Sequence, residues 1–270
     1  MRSLADATSL LFVPGHRPDR FAKAASAGAG AVILDLEDAV APEAKDAARD
    51  HVRAWLDGEG RGRADVVVRI NPPGTPWYDA DVAALAGTGA AAMLPKAEAP
   101  QDVADLVAAL GTGAQVLPLV ETADGVLNAR RVLAVPGVLR AAFGSIDLSA
   151  QLGVDPSDTT ALLHARSALV LASAGAGVAP PLDGVTTDIS DDAALTADAR
   201  HAVALGFTGK LCIHPRQLDG VHAAFAPTPE ELAWAERVLA AAGDGAVTVL
   251  DGKMIDKPVV DRARRILARA

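Results

Sequence analysis

Two carboxylates carry the most chemistry in the chain. Glu121 follows the apolar run Val116-Leu117-Pro118-Leu119-Val120, and Asp147 lies just past Ala141-Ala142-Phe143-Gly144. Both runs have the length and apolarity of strands buried on both faces, so the two acids terminate successive strands. Facing carboxylates repel unless a proton or a cation sits between them. Hard oxygen donors at an open site suit Mg2+, which takes one or two carboxylates and completes its shell with substrate oxygens and water. The competing assignment for either residue alone is a helix cap or an ion-pair partner. Arg69 ends a third apolar run, Val66-Val67-Val68. A buried guanidinium needs an anion. Its fork fits a substrate carboxylate, and a structural pair with Asp35 or Glu37 is the alternative. Lys96, after Met93-Leu94-Pro95, has the placement of a Schiff-base lysine. A carboxylate pair for metal makes that unnecessary, and Lys96 reads better as an electrostatic partner of Glu37 or Asp38.

Positioning these groups takes a regular scaffold. Strand-like runs occur at 10–13, 31–36, 66–70, 92–95, 116–120, 141–144, 185–188 and 211–214. Helix-like stretches separate them, at 19–27, 42–56, 79–86, 100–110, 123–133, 159–174, 192–205 and 216–225. Pro42 and Pro100 suit first helical turns, and Asp79 and Asp192 suit caps. Strands alternating with helices predict parallel βαβ units. Eight of them favour closure into a (β/α)8 barrel over a doubly wound open sheet. Barrel enzymes place their chemistry at the C-terminal strand ends. The ends expected here are His16 and Arg17, Asp35 with Glu37 and Asp38, Arg69, Lys96, Glu121, Asp147, Asp188 and His214. Residues 1–225 make the barrel. Residues 226–270 form an extension of a helix (229–242), a strand-like piece (247–250) and a last helix (258–270), which caps the barrel or reaches a neighbouring subunit.

Composition narrows the function classes. The formal net charge is −9, with no dense Lys/Arg cluster. That disfavours nucleic acid and anionic lipid as partners and leaves an anionic small molecule needing a local basic pocket. The longest uncharged stretch, 167–182, is broken by Gly175, Gly177, Pro180 and Pro181 and is too short to span a bilayer. Residues 1–15 do not read as a signal peptide, and the single cysteine, Cys212, excludes an intrachain disulfide. Both fit a cytoplasmic enzyme. The six histidines show no metal-ligand spacing. Ala27-Gly28-Ala29-Gly30 precedes a strand rather than opening a helix, so it is no dinucleotide loop. Ser145 lies outside a nucleophile elbow.

At these residues the chain resembles the HpcH/HpaI aldolase family, in its citrate lyase β-subunit and malyl-CoA lyase branch. The matching segments are Leu11-Phe12-Val13-Pro14-Gly15, Leu34-Asp35-Leu36-Glu37-Asp38, Val68-Arg69-Ile70-Asn71, Leu94-Pro95-Lys96-Ala97-Glu98, Leu119-Val120-Glu121-Thr122, Phe143-Gly144 with Asp147-Leu148, Ile213-His214-Pro215, and Asp251-Gly252-Lys253-Met254-Ile255-Asp256-Lys257-Pro258. They run almost the whole chain in order. The resemblance implies a homotrimer (or hexamer) of barrels using Mg2+ for carbon–carbon cleavage or condensation of a β-hydroxyacyl-CoA thioester. It implies Glu121 and Asp147 as metal ligands, with Glu121 also at the substrate. It implies Arg69 on the substrate carboxylate, and Phe12, Lys23, Ile213 and His214 against CoA. Asp256 would be an acid/base entering a neighbour's site, with Glu37, Asp38 and Lys96 in support. Two positions depart from the family pattern. Ile146 stands where an acidic residue is frequent, and Asp19 where a basic one is. The alternatives are a CoA-independent aldolase acting on hydroxy-oxo acids and a non-catalytic acyl-CoA-binding subunit.

Overall fold

The computed structural model describes residues 3–242 and 248–269. Eight parallel strands close into a barrel in sequence order: β1 (Ser9–Pro14), β2 (Ala31–Asp35), β3 (Val66–Arg69), β4 (Ala91–Leu94), β5 (Val116–Val120), β6 (Arg140–Phe143), β7 (Ala179–Asp183) and β8 (Gly209–Cys212). β8 pairs back onto β1 through Ser9 and Lys210. The (β/α)8 expectation therefore holds, with no open edge. Alternate residues point inward. Leu10, Ile33, Val67, Met93, Leu117, Leu119, Ala142, Leu182 and Leu211 fill the interior. At the N-terminal end Arg140 is fully buried and donates to the carbonyls of Leu4, Ala7 and Pro180 and to Thr208 Oγ1. Burial holds its guanidinium down to about 10, with Asp6 opposing the shift.

The outer helices of this unit are α1 (Phe21–Ala25), α2 (Lys45–Asp57), α3 (Tyr78–Leu85), α4 (Pro100–Leu110), α5 (Ala123–Leu133), α6 (Ser145–Leu152), α7 (Leu163–Ala176), α8 (Asp192–Leu205) and α9 (Gln217–Phe225). α2 buries Ala48, Val52 and Leu56, a three-to-four spacing that lays one face on the sheet. Several expected ends move. Residues 18–20 form a short 3-10 turn ahead of α1. Asp79 lies inside the first turn of α3, and Asp191 rather than Asp192 caps α8 by accepting from Ala193 and Ala194 N–H. The helix α6, Ser145–Leu152, which carries Asp147, was not among the expected helices.

One strand was misplaced. The expected seventh strand, 185–188, is loop, and β7 is Ala179-Pro180-Pro181-Leu182-Asp183. Two prolines argue against a strand because they cannot donate to a ladder, except at a bulge. A bulge is what they occupy: Ala179 pairs with Arg140 and Leu182 with Ala142, so one extra residue is absorbed between them. Asp188 is therefore not a strand end. It is exposed and accepts from Ser190 N–H and Oγ–H in a local turn. Asp183 ends the strand instead, and since Leu182 faces the interior, Asp183 faces the helix layer. There it meets Arg166 of α7 at 2.8 Å and Lys210 of β8 at 3.4 Å.

A second compact unit spans Phe225–Ala270. It packs α10 (Pro229–Ala241) against α11 (Lys257–Leu267), with a hairpin of β9 (Thr248–Leu250) and β10 (Lys253–Ile255). Ala235, Val238, Ile255, Ala263 and Ile266 make its core. Asp251 and Gly252 both have positive φ, the conformation a two-residue hairpin turn needs. The expected strand included Val247, which lies outside the described residues. Its partner β10 went unread in the sequence.

Asp183 neutralises two buried cations, so removing it leaves both uncompensated. Asp183→Ala is expected to lower the unfolding free energy by about 3–5 kcal/mol, whereas Asp188→Ala should stay within about 0.5 kcal/mol of the parent. Denaturant unfolding measures both. Equal effects would contradict the assignment of β7.

Candidate active site

The C-terminal ends of β2 to β6 bring the expected residues together. Arg69 is buried at the end of β3, and its Nε and Nη2 each donate to Asp35 at 2.7 Å. Nη1 lies 2.9 Å from Glu37 Oε2 and 3.6 Å from Asp38. The guanidinium also stacks over Phe12, 4.8 Å from the ring centroid. Desolvation alone would lower its pKa, but Asp35 and Glu37 overcome that and raise it, so Arg69 stays charged. The structural pair weighed against a substrate role is therefore present. Asp35 also accepts from the N–H groups of Glu37 and Ala39, which bends the chain out of β2 and sets Glu37 over the rim.

Glu37 is buried, and its Oε1 takes Lys96 Nζ at 3.1 Å. Its Oε2 has no hydrogen-bond partner despite the nearby guanidinium. Burial raises its pKa, opposed by Arg69. Lys96 also donates its backbone N–H to Glu121 Oε1 at 2.8 Å. Glu121 is buried against Gly144, where a Cβ would stand 2.6 Å from Oε2, so the metal-ligand candidate on β5 requires glycine on the facing strand end. Burial, then the charges of Glu37 and Asp147, push the Glu121 carboxyl up to about 8. Asp147, in the first turn of α6, is half-buried.

Asp35, Glu37, Asp38, Glu121 and Asp147 thus share one rim with Arg69 and Lys96. Among the described residues no group of three or more His, Cys, Asp or Glu side chains is arranged to enclose a metal ion. A pair of carboxylates with substrate and water completing the shell fits Mg2+, which dehydrates reluctantly. The raised pKa of Glu121 and its single protein hydrogen bond both suit a carboxylate awaiting a cation.

The other expected residues lie around this centre. Phe12 is on β1, Ile213 and His214 follow β8, which pairs with β1, and Lys23 is exposed on α1. Gln217 shapes the β8 end: its Oε1 accepts from Ile213 and His214 N–H, and its Nε2 donates to Thr186 O. Sequence reading missed Gln217 because an amide two residues past a proline gives no motif. It also missed Lys45, whose buried Nζ holds the Leu36 and Glu37 carbonyls. Asp19 accepts both Nε and Nη2 of Arg17, so that arginine is already neutralised. In the second unit Asp256 caps α11, accepting from Val259 N–H at 3.3 Å.

The family model for HpcH/HpaI aldolase/citrate lyase matches residues 8–215. The chain belongs to that family. A second model, a C–C bond lyase of the TIM-barrel fold, matches residues 179–270. The chain is 42% identical to a citrate lyase subunit beta-like protein of Mycobacterium tuberculosis, over 96% of this chain and 94% of that one. It is 35% identical to a (3S)-malyl-CoA thioesterase of Cereibacter sphaeroides, over 97% and 94% of the two chains. The solved structure of CitE from M. tuberculosis in complex with magnesium, acetoacetate and coenzyme A superposes with a TM-score of 0.85, at 39% identity and covering 99% of each chain. No helix among the described residues is long and apolar enough to cross a membrane.

Glu121 generates a pH prediction. Its folded-state pKa of about 8 exceeds the ordinary value of 4.5. Its favourable contribution is therefore complete below about pH 4.5 and is lost as pH rises towards 8. Glu121→Gln keeps an acceptor for Lys96 N–H and removes the charge. Measured without metal, the variant should gain stability relative to the parent as pH rises through that window. Parallel stability profiles would contradict the assignment.

Proposed function

We propose that the chain is a Mg2+-dependent carbon–carbon lyase. It acts, in cleavage or condensation, on a β-hydroxyacyl-CoA thioester of the malyl-CoA or citryl-CoA type. The observation that carries this reading is the approach of buried Glu121 to Asp147 at the ends of β5 and β6, with Glu37 between Glu121 and the Arg69 guanidinium. The relatives with magnesium and coenzyme A support it. Glu121 and Asp147 would hold the ion, which supplies Lewis-acid polarisation of the substrate oxygens.

The chain's own residues do the rest. Asp35 uses the Nε–Nη2 fork of Arg69, and the Nη1 edge, paired with Glu37 at 2.9 Å, is where a substrate carboxylate would have to share or displace that contact. Lys96 keeps Glu37 ionically engaged at the same edge. A base takes the hydroxyl proton, the bond between the carbinol carbon and the thioester α-carbon breaks, and its electrons pass to the thioester enolate. Protonation of that carbon by Asp256 completes cleavage to an oxo acid and an acyl thioester. Phe12 on β1 and Ile213 and His214 after β8 would meet the CoA portion, with Lys23 reaching it from α1, which packs on β1 and β2. The acidic chain favours a cytoplasmic small-molecule enzyme, working as a homotrimer in which Asp256 serves an adjacent subunit.

A second reading, thioester hydrolysis, is favoured by the 35% identity to (3S)-malyl-CoA thioesterase. Product analysis separates them. Lysis yields an oxo acid and an acyl thioester, whereas hydrolysis yields a free hydroxy acid and thiol. A panel of hydroxyacyl-CoA thioesters and free hydroxy-oxo acids, assayed with Mg2+, should give lyase products that vanish in excess EDTA. Full activity in EDTA would rule out the metal reading.

Arg69→Lys keeps the charge and loses the planar fork. kcat/KM for the thioester should fall by about tenfold or more, as expected for a lost charged hydrogen bond. Unchanged kinetics would make Arg69 purely structural. Mixing an Arg69→Ala chain with an Asp256→Ala chain tests the shared site. Partial recovery of activity is expected in mixed oligomers, and none if Asp256 only caps its helix.

A further inference from the structure

Lys96 has φ of +48°, and the only other non-glycine residue with positive φ among the described residues is Asp251, in the hairpin turn. That conformation crowds Cβ against the backbone, so a side chain other than glycine enters it when the surroundings over-determine it. A hairpin turn explains Asp251. Lys96 follows Pro95 in a two-residue turn that leaves β4 after Leu94, where no hairpin is formed. None of the other seven barrel strands leaves through a non-glycine residue in this conformation.

What the conformation achieves is visible in its two contacts. The backbone N–H points across to β5 and donates to Glu121 Oε1 at 2.8 Å. The side chain points back towards β2 and meets Glu37 Oε1 at 3.1 Å. The next residue returns to the barrel, with Ala97 N–H on Leu119 O at 3.3 Å. φ turns about the N–Cα bond, so it sets where the side chain and the following residues go. With the Lys96 N–H on Glu121 and the next N–H pinned to Leu119 O, a negative φ would have to be made up by rotating the preceding peptide and its N–H off Glu121. Gly144 closes the other side of the same carboxylate, where even a methyl group would overlap Oε2. Glu121 is therefore held from one side by an N–H and from the other by the bare backbone of a glycine.

We propose that the left-handed turn at Lys96 is a positioning device that fixes one oxygen of Glu121 so that the other is presented to a divalent cation. Lys96 acts through Glu121 and is not itself a ligand. The inference rests on the reading of Glu121 and Asp147 as the metal pair. It makes the backbone at residue 96, rather than the ammonium, the determinant of cation affinity.

Three variants test it. Lys96→Gly adopts positive φ freely and lacks the ammonium. Lys96→Ala resists that conformation moderately, and Lys96→Val strongly, because β-branched side chains tolerate it worst. Mg2+ affinity is measured by calorimetric titration of the full chain, with circular dichroism confirming that each variant is folded. Lys96→Gly should bind Mg2+ within about threefold of the parent, and Lys96→Val about tenfold more weakly, the loss expected for one charge-assisted hydrogen bond. Lys96→Ala should fall between them, and the Gly–Ala pair decides the matter if Lys96→Val does not fold. Equal weakening in Lys96→Gly would assign the effect to the ammonium and overturn the proposal. So would unchanged affinity in Lys96→Val or Lys96→Ala while Glu121→Gln abolishes binding, and that result would leave the metal reading intact. A parent chain that binds no Mg2+ would overturn both.

Discussion

The structure depends on how like charges are tolerated at one end of a barrel. Asp35, Glu37, Asp38, Glu121 and Asp147 converge on a rim where Arg69 and Lys96 are the cations that reach them. Burial makes each unpaired carboxylate expensive, and proximity makes a pair worse. Asp35 is satisfied outright by Arg69 and two backbone N–H groups. Glu37 is bonded through one oxygen to Lys96, while the other meets Arg69 as an ion pair at 2.9 Å without hydrogen-bond geometry. Glu121 is the residue left over, and the shift of its carboxyl to about 8 expresses that imbalance. In the proposed reading a divalent cation would resolve it, so an arrangement costly for the bare fold would serve chemistry.

The scaffold supports this by placing rigid parts where precision matters. The barrel interior is filled by aliphatic side chains, so the strand ends do not drift. Backbone groups join the long side chains in holding the carboxylates: Glu37 and Ala39 N–H on Asp35, Lys96 N–H on Glu121. Gly144 lets Glu121 approach β6 closely. Lys45 gathers the Leu36 and Glu37 carbonyls from below, and burial lowers its pKa even as Asp35 and Glu37 raise it.

Much of this was legible in the sequence because parallel strands buried on both faces announce themselves as apolar runs. β5 was placed to the residue, and the end of each such run located Arg69, Lys96 and Glu121. β7 was illegible for a physical reason. Its prolines occupy a bulge, and the nearby Val185-Thr186-Thr187 has strand-like side chains but lies in a loop. The error carried Asp188 into the rim and hid Asp183, whose true partners, Arg166 and Lys210, are distant in sequence. The left-handed backbone of Lys96 was equally invisible, since lysine gives no signal for positive φ. Asp256 shows the opposite limit. The last helix was expected from residue 258, and Asp256, read as an acid/base by resemblance, caps it.

Membership in the HpcH/HpaI aldolase/citrate lyase family gives the rim a chemical context, and 42% identity to a citrate lyase subunit beta-like protein spans nearly the whole chain. The central claim is that the unresolved negative charge at Glu121 and Asp147 exists to hold one divalent cation. Crystals grown with Mn2+ and a short oxo acid test it most directly, through anomalous scattering from the metal. The account predicts one peak within about 2.0–2.3 Å of a carboxylate oxygen of both Glu121 and Asp147, a spacing near that of Mg2+. No peak at this rim, or a peak bound by Glu37 and Asp38 instead, would contradict it.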